Sequence, residues 1–116
     1  MIIARTPFRV SFAGGGSDLY DFYSRNGYGA VVSAAINKYM YIVIHPYFHD
    51  QIRIKYSKTE DVATAEEVQH PIVRECLKKV KLANGVEIAS FADVSSGSGL
   101  GSSSAFTVCL LHALYA

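Results

Sequence analysis

A run of glycines and serines near the end of this 116-residue chain has the composition of an anion-binding loop. Glycine occupies alternate positions in Gly97-Ser98-Gly99-Leu100-Gly101, and Ser102, Ser103 and Ser104 follow directly. Glycines let the backbone approach a phosphate without an intervening Cβ atom. Serine hydroxyls add donors, and one of them can ligate Mg²⁺. A helix that begins after the last glycine would also present free N–H groups and the positive end of its dipole to an anion.

Two better-known phosphate loops do not fit this pattern. A Walker A loop has a lysine after its last glycine, where this chain has Ser102. The dinucleotide fingerprint needs a third glycine at the same position. A serine-glycine linker between two elements stays open as the alternative, since such loops are common.

A second group of polar residues lies near the start of the chain. Arg9 is followed closely by the glycine turn Gly14-Gly15-Gly16 and then by Ser17 and Asp18. A carboxylate after such a turn can accept hydrogen bonds from two hydroxyls, and an arginine can stabilise charge on a transferring phosphoryl group. The simpler alternative makes Asp18 a first-turn helix acid and Arg9 a surface strand residue.

Both segments resemble signatures of one family, the GHMP kinases, which includes galactokinase, mevalonate kinase and homoserine kinase. Gly99-Leu100-Gly101-Ser102-Ser103-Ser104-Ala105 is similar to the second signature of that family. Thr6-Pro7-Phe8-Arg9-Val10-Ser11-Phe12-Ala13-Gly14-Gly15-Gly16-Ser17-Asp18 is similar to the first, in its sugar-kinase form. One position departs from the pattern, because Ser95 stands where the family usually has proline.

The resemblance implies roles for several residues of the two segments. Residues 97–104 would wrap the phosphates of ATP, with Ser103 on Mg²⁺. Arg9 would lie near the phosphoryl acceptor, and Asp18, together with Gly16 and Ser17, would bind the sugar. The family's catalytic carboxylate lies beyond the glycine-serine loop, so no catalytic base is assigned.

Three further segments resemble the branch that phosphorylates heptose phosphates, including the D-glycero-D-manno-heptose 7-phosphate kinases. They are residues 31–39, 55–60 and 70–75. This branch implies ATP-dependent phosphorylation of a heptose 7-phosphate at its anomeric hydroxyl. The alternatives are another sugar, such as fucose or galactose, a non-catalytic sugar or nucleotide sensor on the same fold, and a small domain that buries its last helix in a partner or a homo-oligomer.

The elements that must position these residues follow from the spacing of apolar side chains. Alternation and β-branched residues predict strands over 2–13, 30–36, 39–47, 51–56 and 86–92, with 51–56 paired to the strand before it. Pro7 favours an edge strand or a bulge. Helices are predicted to begin at a Ser17 N-cap and at His70-Pro71, and to cover 102–115.

This order predicts an α+β fold, with a mixed β-sheet and helices on one face. The resemblance implies more specifically the N-terminal GHMP kinase domain (ribosomal protein S5 domain 2-like), truncated. Residues 94–116 contain no Asp, Glu, Lys or Arg, and the helix there is apolar nearly all round. Such a helix must be buried nearly all round. We therefore expect residues 1–116 to be an incomplete domain, inactive alone, with a C-terminal lobe or a partner covering this helix.

Composition excludes several other classes of protein. The net charge is +1, without the basic excess that nucleic-acid binders show. No apolar run is long enough to span a membrane, and no signal peptide is present, which predicts a cytoplasmic protein. Cys76 and Cys109 are expected to be free buried thiols. His45 and His49 straddle Pro46, so no metal site is expected there.

Overall fold

The computed structural model describes residues 1–82 and 84–116, and five strands in it form one mixed sheet. The strands are β1 (Ile2–Ala13), β2 (Val32–Pro46), β3 (Ile52–Lys55), β4 (Thr59–Val62) and β5 (Val86–Ala92). Their spatial order is β1-β2-β5-β3-β4. Neighbouring strands are antiparallel except β3 and β5, which are parallel.

Three α-helices accompany the sheet: α1 (Tyr20–Asn26), α2 (Pro71–Val80) and α3 (Ser102–Tyr115). Two short 3-10 helices cover Gly15–Asp18 and Ala65–Glu67. α1 ends at Gly27, whose φ of 82° is left-handed, and α2 begins with Pro71 in its first position, where a missing N–H costs nothing. None of the helices in the described ranges is long and apolar enough to cross a membrane.

The core lies between the sheet and the two longer helices. α3 packs on β1 and β2, and α2 packs against α3. On β2, Ile42 and Ile44 are buried while the alternating Tyr41 and Val43 are only half-buried, as the two-residue period of a strand requires. The fully buried side chains include Leu110 of α3, and each such side chain contributes about 1.5–3 kcal/mol. The predicted α+β class, with a mixed sheet, is confirmed.

Several predicted elements are confirmed at their bounds. β1, β5 and α3 cover the predicted 2–13, 86–92 and 102–115. β1 is an edge strand, and its pairing with β2 is irregular between Pro7 and Arg9. Both thiols are buried and free, and burial raises the pKa of each above its ordinary value.

The prediction of two strands over 30–36 and 39–47 is wrong, because β2 is continuous from Val32 to Pro46. Pro7 pairs with Tyr39, and Arg9 pairs with Ala35. One residue of β1 therefore faces three residues of β2, and Asn37-Lys38 lies in this bulge. The polar pair therefore marks a bulge within a continuous strand and does not form a loop between two strands.

The predicted partner of the 51–56 strand is also wrong. β3 pairs with β4 on one side and with β5 on the other, in parallel. The polar stretch 57–69, for which no strand is predicted, contains β4. An ion pair between Arg53 and Asp61 links β3 and β4, with Nε and Oδ1 3.0 Å apart.

Candidate functional site

The glycine-serine loop connects the end of β5 to the start of α3, as predicted. Gly97, Gly99 and Gly101 have φ angles of 79°, 75° and 77°. This left-handed region is sterically costly for residues with a Cβ atom. The alternating glycines are therefore required by the path of the backbone, whereas a flexible linker would not need them.

The first turn of α3 presents unpaired N–H groups at the end of this loop. Gly101 is the N-cap, and the first hydrogen bond of the helix runs from Ala105 N to Gly101 O at 2.9 Å. The N–H groups of Ser102, Ser103 and Ser104 precede this bond, so they have no intrahelical acceptor. Because the positive end of the helix dipole adds to them, this turn suits an anion.

Arg9 contacts this loop from β1, although it is 90 positions from Gly99. Arg9 N donates to Leu100 O at 3.2 Å, and Arg9 Nη1 donates to Gly99 O at 3.4 Å. A Cβ atom added at Gly101 would lie 3.0 Å from Arg9 Cζ. The structure thus brings Arg9 and the predicted phosphate-binding residues together, and places a cation beside the free amides of α3.

The predicted sugar-binding segment is held by an unusually close backbone contact. Cβ atoms added at Gly14 and Gly29 would lie 1.9 Å from Ala30 O and Ser17 O respectively, so neither position accepts another residue. The Ser17 hydroxyl lies 2.6 Å from Gly14 O and 2.8 Å from Ala30 O, and it accepts from Ala30 N at 2.9 Å. The predicted N-cap role of Ser17 is wrong, because its hydroxyl joins two backbone segments and α1 begins only after Leu19.

Asp18 lies at the end of the first 3-10 helix and is exposed. It borders a cavity of about 290 Å³ that is also lined by Tyr23 and Val31. Among residues 1–82 and 84–116, no hydrogen bond or ion pair engages its carboxylate. A Cβ atom at Gly16 would meet nothing within 4 Å, so the surface there is open. The first-turn acid of α1 is Asp21, and the carboxylate of Asp18 remains available to a ligand.

A cluster that the sequence does not predict lies beside the start of α3. His70 lines a cavity of about 160 Å³ together with Ser102, Ser103 and Phe106. It also lines an adjoining cavity of about 440 Å³ together with Tyr56 and Ser102. The His-Pro pair signals a helix start, but no local pattern reveals that its imidazole faces the loop.

Glu60 of β4 holds Tyr56 and His70 in place through hydrogen bonds. It is 8% exposed, and it accepts hydrogen bonds from Tyr56 Oη at 2.8 Å, Gln69 N at 2.7 Å and His70 N at 3.1 Å. Burial alone would raise the pKa of Glu60, but these hydrogen bonds and the nearby His70 ring hold the pKa below its ordinary value. The hydrogen bond from Tyr56 Oη to Glu60 is also the main cause that raises the pKa of Tyr56. The carboxylate therefore ties the entry to α2 onto the β3–β4 hairpin.

Asp93, which precedes the loop, and Ser103, the predicted Mg²⁺ ligand, have clear surroundings. The carboxylate of Asp93 accepts from Tyr39 N at 2.8 Å, and Asp93 N donates to Tyr39 O at 3.0 Å. Asp93 therefore extends the hydrogen bonding between β2 and β5 by one residue beyond the end of β5. Ser103 is exposed, and its backbone oxygen accepts from the Thr107 hydroxyl at 2.8 Å, which leaves its own hydroxyl unengaged in the described chain.

Comparison with known proteins gives a family match and a set of similar folds. Residues 65–116 match the family model described as the GHMP kinases N terminal domain. No curated protein sequence matches the chain. A D-glycero-D-manno-heptose 1-phosphate kinase from Bacteroides thetaiotaomicron superposes with a TM-score of 0.83 at 25% identity, over 97% of this chain and 40% of that one.

Two further solved structures are similar over the same extent. A protein described as a candidate sugar kinase from Campylobacter jejuni has a TM-score of 0.72 at 26% identity, over 97% of this chain and 38% of that chain. The mevalonate kinase of Methanococcus jannaschii has a TM-score of 0.72 at 20% identity, over 97% and 39%, and this likeness shows the fold alone. The chain spans about two fifths of the length of these proteins. Residues 65–116 thus resemble the GHMP kinases N terminal domain, and the fold of the whole chain is similar to that of the heptose phosphate kinase structure.

Proposed function

We propose that this chain is the phosphate-binding and sugar-binding part of an ATP- and Mg²⁺-dependent sugar kinase. The proposed reaction transfers the γ-phosphoryl group of ATP to the anomeric hydroxyl of a heptose 7-phosphate. Residues 1–116 would form the N-terminal part of this cytoplasmic enzyme, and a further lobe would complete the active site.

The contact between Arg9 and the glycine-serine loop is the observation that carries this proposal. It sets a guanidinium against the backbone of Gly99 and Gly101, next to the free N–H groups at the start of α3. A cation and converging amide donors together suit a polyphosphate. Phosphoryl transfer depends mainly on such positioning and on charge neutralisation.

Each binding residue then has a physical task. Residues 97–104 would surround the phosphates with backbone and hydroxyl donors, and the unengaged hydroxyl of Ser103 would ligate Mg²⁺. The ion, when bound, neutralises charge on the phosphates. Arg9 would stabilise charge on the transferring phosphoryl group.

The sugar is proposed to bind at the cavity beside Asp18. Its unpaired carboxylate can accept two hydroxyl protons, and the open surface at Gly16 lets a sugar approach the backbone. The Ser17 hydroxyl is already engaged, so Ser17 would contribute through its backbone and through holding the turn.

The heptose assignment rests on the segments that resemble the heptose branch and on the similarity to a structure described as a heptose phosphate kinase. A sugar phosphate would also need a cation, and Arg25, Lys38 and Lys58 are exposed candidates.

A native-mass measurement tests the domain proposal. An antibody raised against this chain is expected to detect a band well above 12.7 kDa in the source cells. A band at 12.7 kDa would favour a binding or sensing module instead. The purified native protein should then consume ATP only when a sugar acceptor is present, and ATP binding without transfer to any sugar would contradict a kinase.

A further inference from the structure

We propose that His70 binds the nucleotide directly, by donating a hydrogen bond from Nε2 to a phosphate oxygen above the start of α3. This inference rests on the proposed function, because it requires the phosphates of ATP on the glycine-serine loop. It adds a nucleotide-contacting residue from outside both signature segments.

The position of the imidazole is the first reason. Two adjoining cavities, of about 160 and 440 Å³, share His70, Ser96 and Ser102 among their lining residues. The smaller cavity also includes Ser103. A ligand whose phosphates reach the first turn of α3 would therefore pass His70.

The hydrogen bonding of the ring is the second reason. His70 Nδ1 caps α2 by accepting from Val73 N at 3.4 Å. A ring nitrogen that accepts carries no proton, so in the neutral imidazole the proton is on Nε2. No acceptor within residues 1–82 and 84–116 binds Nε2, and no buried side-chain nitrogen or oxygen there lacks a partner. The Nε2–H group is thus accessible and unpaired.

The ring is also held in place before any ligand arrives. It stacks on Phe106 with centroids 5.0 Å apart and an interplanar angle of 21°. The ring of Tyr56 meets it edge-on at 4.8 Å, and the backbone N–H of His70 donates to Glu60 at 3.1 Å. A donor held in this way loses little conformational freedom when a ligand binds.

The charge state of the ring suits this role. Burial lowers the pKa of His70, while the Glu60 carboxylate and the residue's own carbonyl oppose the shift. The net pKa lies below its ordinary value, so the ring is neutral at neutral pH. It then keeps the Nδ1 acceptor for the helix cap and the Nε2 donor for the ligand at the same time.

Two substitutions separate the cap from the ligand contact. His70→Asn keeps a good N-cap acceptor but removes the Nε2 donor. His70→Gln can extend an amide N–H towards the position of Nε2 but is a poor cap. In the kinase that carries this chain, the dissociation constant for Mg·ADP is measured by calorimetry and the thermal midpoint by unfolding.

We expect His70→Asn to raise the dissociation constant for Mg·ADP about tenfold and to leave the thermal midpoint within about 2 °C, since a hydrogen bond to a charged group is lost and the cap is kept. His70→Gln should lower the thermal midpoint and keep the dissociation constant within about threefold. Inhibition by adenosine, which has no phosphate, should be unchanged in His70→Asn.

Several results would overturn the inference. Wild-type Mg·ADP affinity in His70→Asn, beside weakened affinity in Ser103→Ala, would remove the His70 contact and leave the proposed function intact. Parallel losses of affinity and thermal stability in both His70 variants would make the residue structural only. An equal loss of affinity for adenosine in His70→Asn would show that His70 contacts a part of the nucleotide other than the phosphates. Full affinity in both Ser103→Ala and His70→Asn would instead refute the proposed function.

Discussion

Replacing Gly101 by alanine tests whether the packing of Arg9 against the loop matters for phosphoryl transfer. The added Cβ atom would lie 3.0 Å from Cζ, 3.2 Å from Nε and 3.3 Å from Nη1 of Arg9. The guanidinium must then move by a few tenths of an ångström, away from the oxygen of Gly99 that it now contacts at 3.4 Å. The substitution therefore displaces Arg9 without removing its charge.

Gly27→Ala is the matched control for the backbone. Gly27 has a φ of 82° against 77° for Gly101, and its added Cβ atom would meet nothing within 4 Å. Left-handed backbone costs a residue with a Cβ atom about 1–2 kcal/mol. Both variants should thus lose about 1–2 kcal/mol of unfolding free energy in denaturant titrations. Only Gly101→Ala should also move a residue of the proposed active site.

The two variants should differ in kcat/KM for ATP. A misplaced group in the reacting geometry can cost about 100-fold, and a shift of a few tenths of an ångström is expected to cost about tenfold. Gly27→Ala should stay within about threefold of wild type, because its left-handed turn lies outside the loop. Equal kcat/KM values in the two variants, at equal stability, would refute the proposed role of Arg9.

Three further substitutions are expected to separate binding from folding. Asp18→Asn should raise the KM for the sugar about tenfold without changing the thermal midpoint, because one charge-assisted hydrogen bond is lost at an unpaired carboxylate; an unchanged KM would remove Asp18 from the sugar site. Ser103→Ala should raise the Mg²⁺ concentration that gives half-maximal rate, whereas Ser95→Ala should not, and equal Mg²⁺ profiles would count against the proposed ligand. Glu60→Gln should lower the free energy of unfolding by about 1–3 kcal/mol, because an amide cannot accept from all three donors of the native carboxylate.

The pH dependence of stability follows from the same carboxylate. The folded-state pKa of Glu60 lies below its ordinary value of about 4.5. Its contribution to stability is therefore present above pH 4.5 and is lost as the pH falls through the lower folded-state pKa. Unfolding of Glu60→Gln, followed across this acidic range, should depend less on pH than that of the wild type. Identical pH profiles would show that Glu60 is not the responsible group.

Elements that depend on local pattern were predictable from the sequence. The apolar alternation of β1 and β5 and the long apolar segment of α3 give these elements at their observed bounds. Pairing between distant segments was not predictable in the same way. β3 lies parallel to β5, about 30 residues further along the chain, and no local feature of either strand specifies that contact. β4 is mostly polar because Asp61 is paired with Arg53 and Glu60 binds three donors, so its sequence resembles a loop.

The candidate site was likewise predictable only where it depends on local sequence pattern. Glycine spacing and the strand-loop-helix order predict an anion site before α3, and the positive φ angles of that loop agree with it. The sequence offers Arg9 both as an active-site arginine and as a surface strand residue, and only the fold shows its contact with Gly99. Ser17 appears in the sequence as a cap or a ligand, yet its hydroxyl is engaged with Ala30. His70 approaches the loop through packing on Phe106, which no spacing predicts.

Phosphoryl transfer from ATP to a sugar is the most direct test of the central claim. The native protein that contains this chain is incubated with Mg·ATP and a panel of sugars that includes heptose 7-phosphate, galactose and fucose, and the products are followed by ³¹P NMR. The account predicts ADP and an equal amount of a new anomeric phosphate with the heptose 7-phosphate, both strongly reduced in Ser103→Ala. Bound ATP that stays intact with every sugar would contradict the account and would make the chain part of a binding protein.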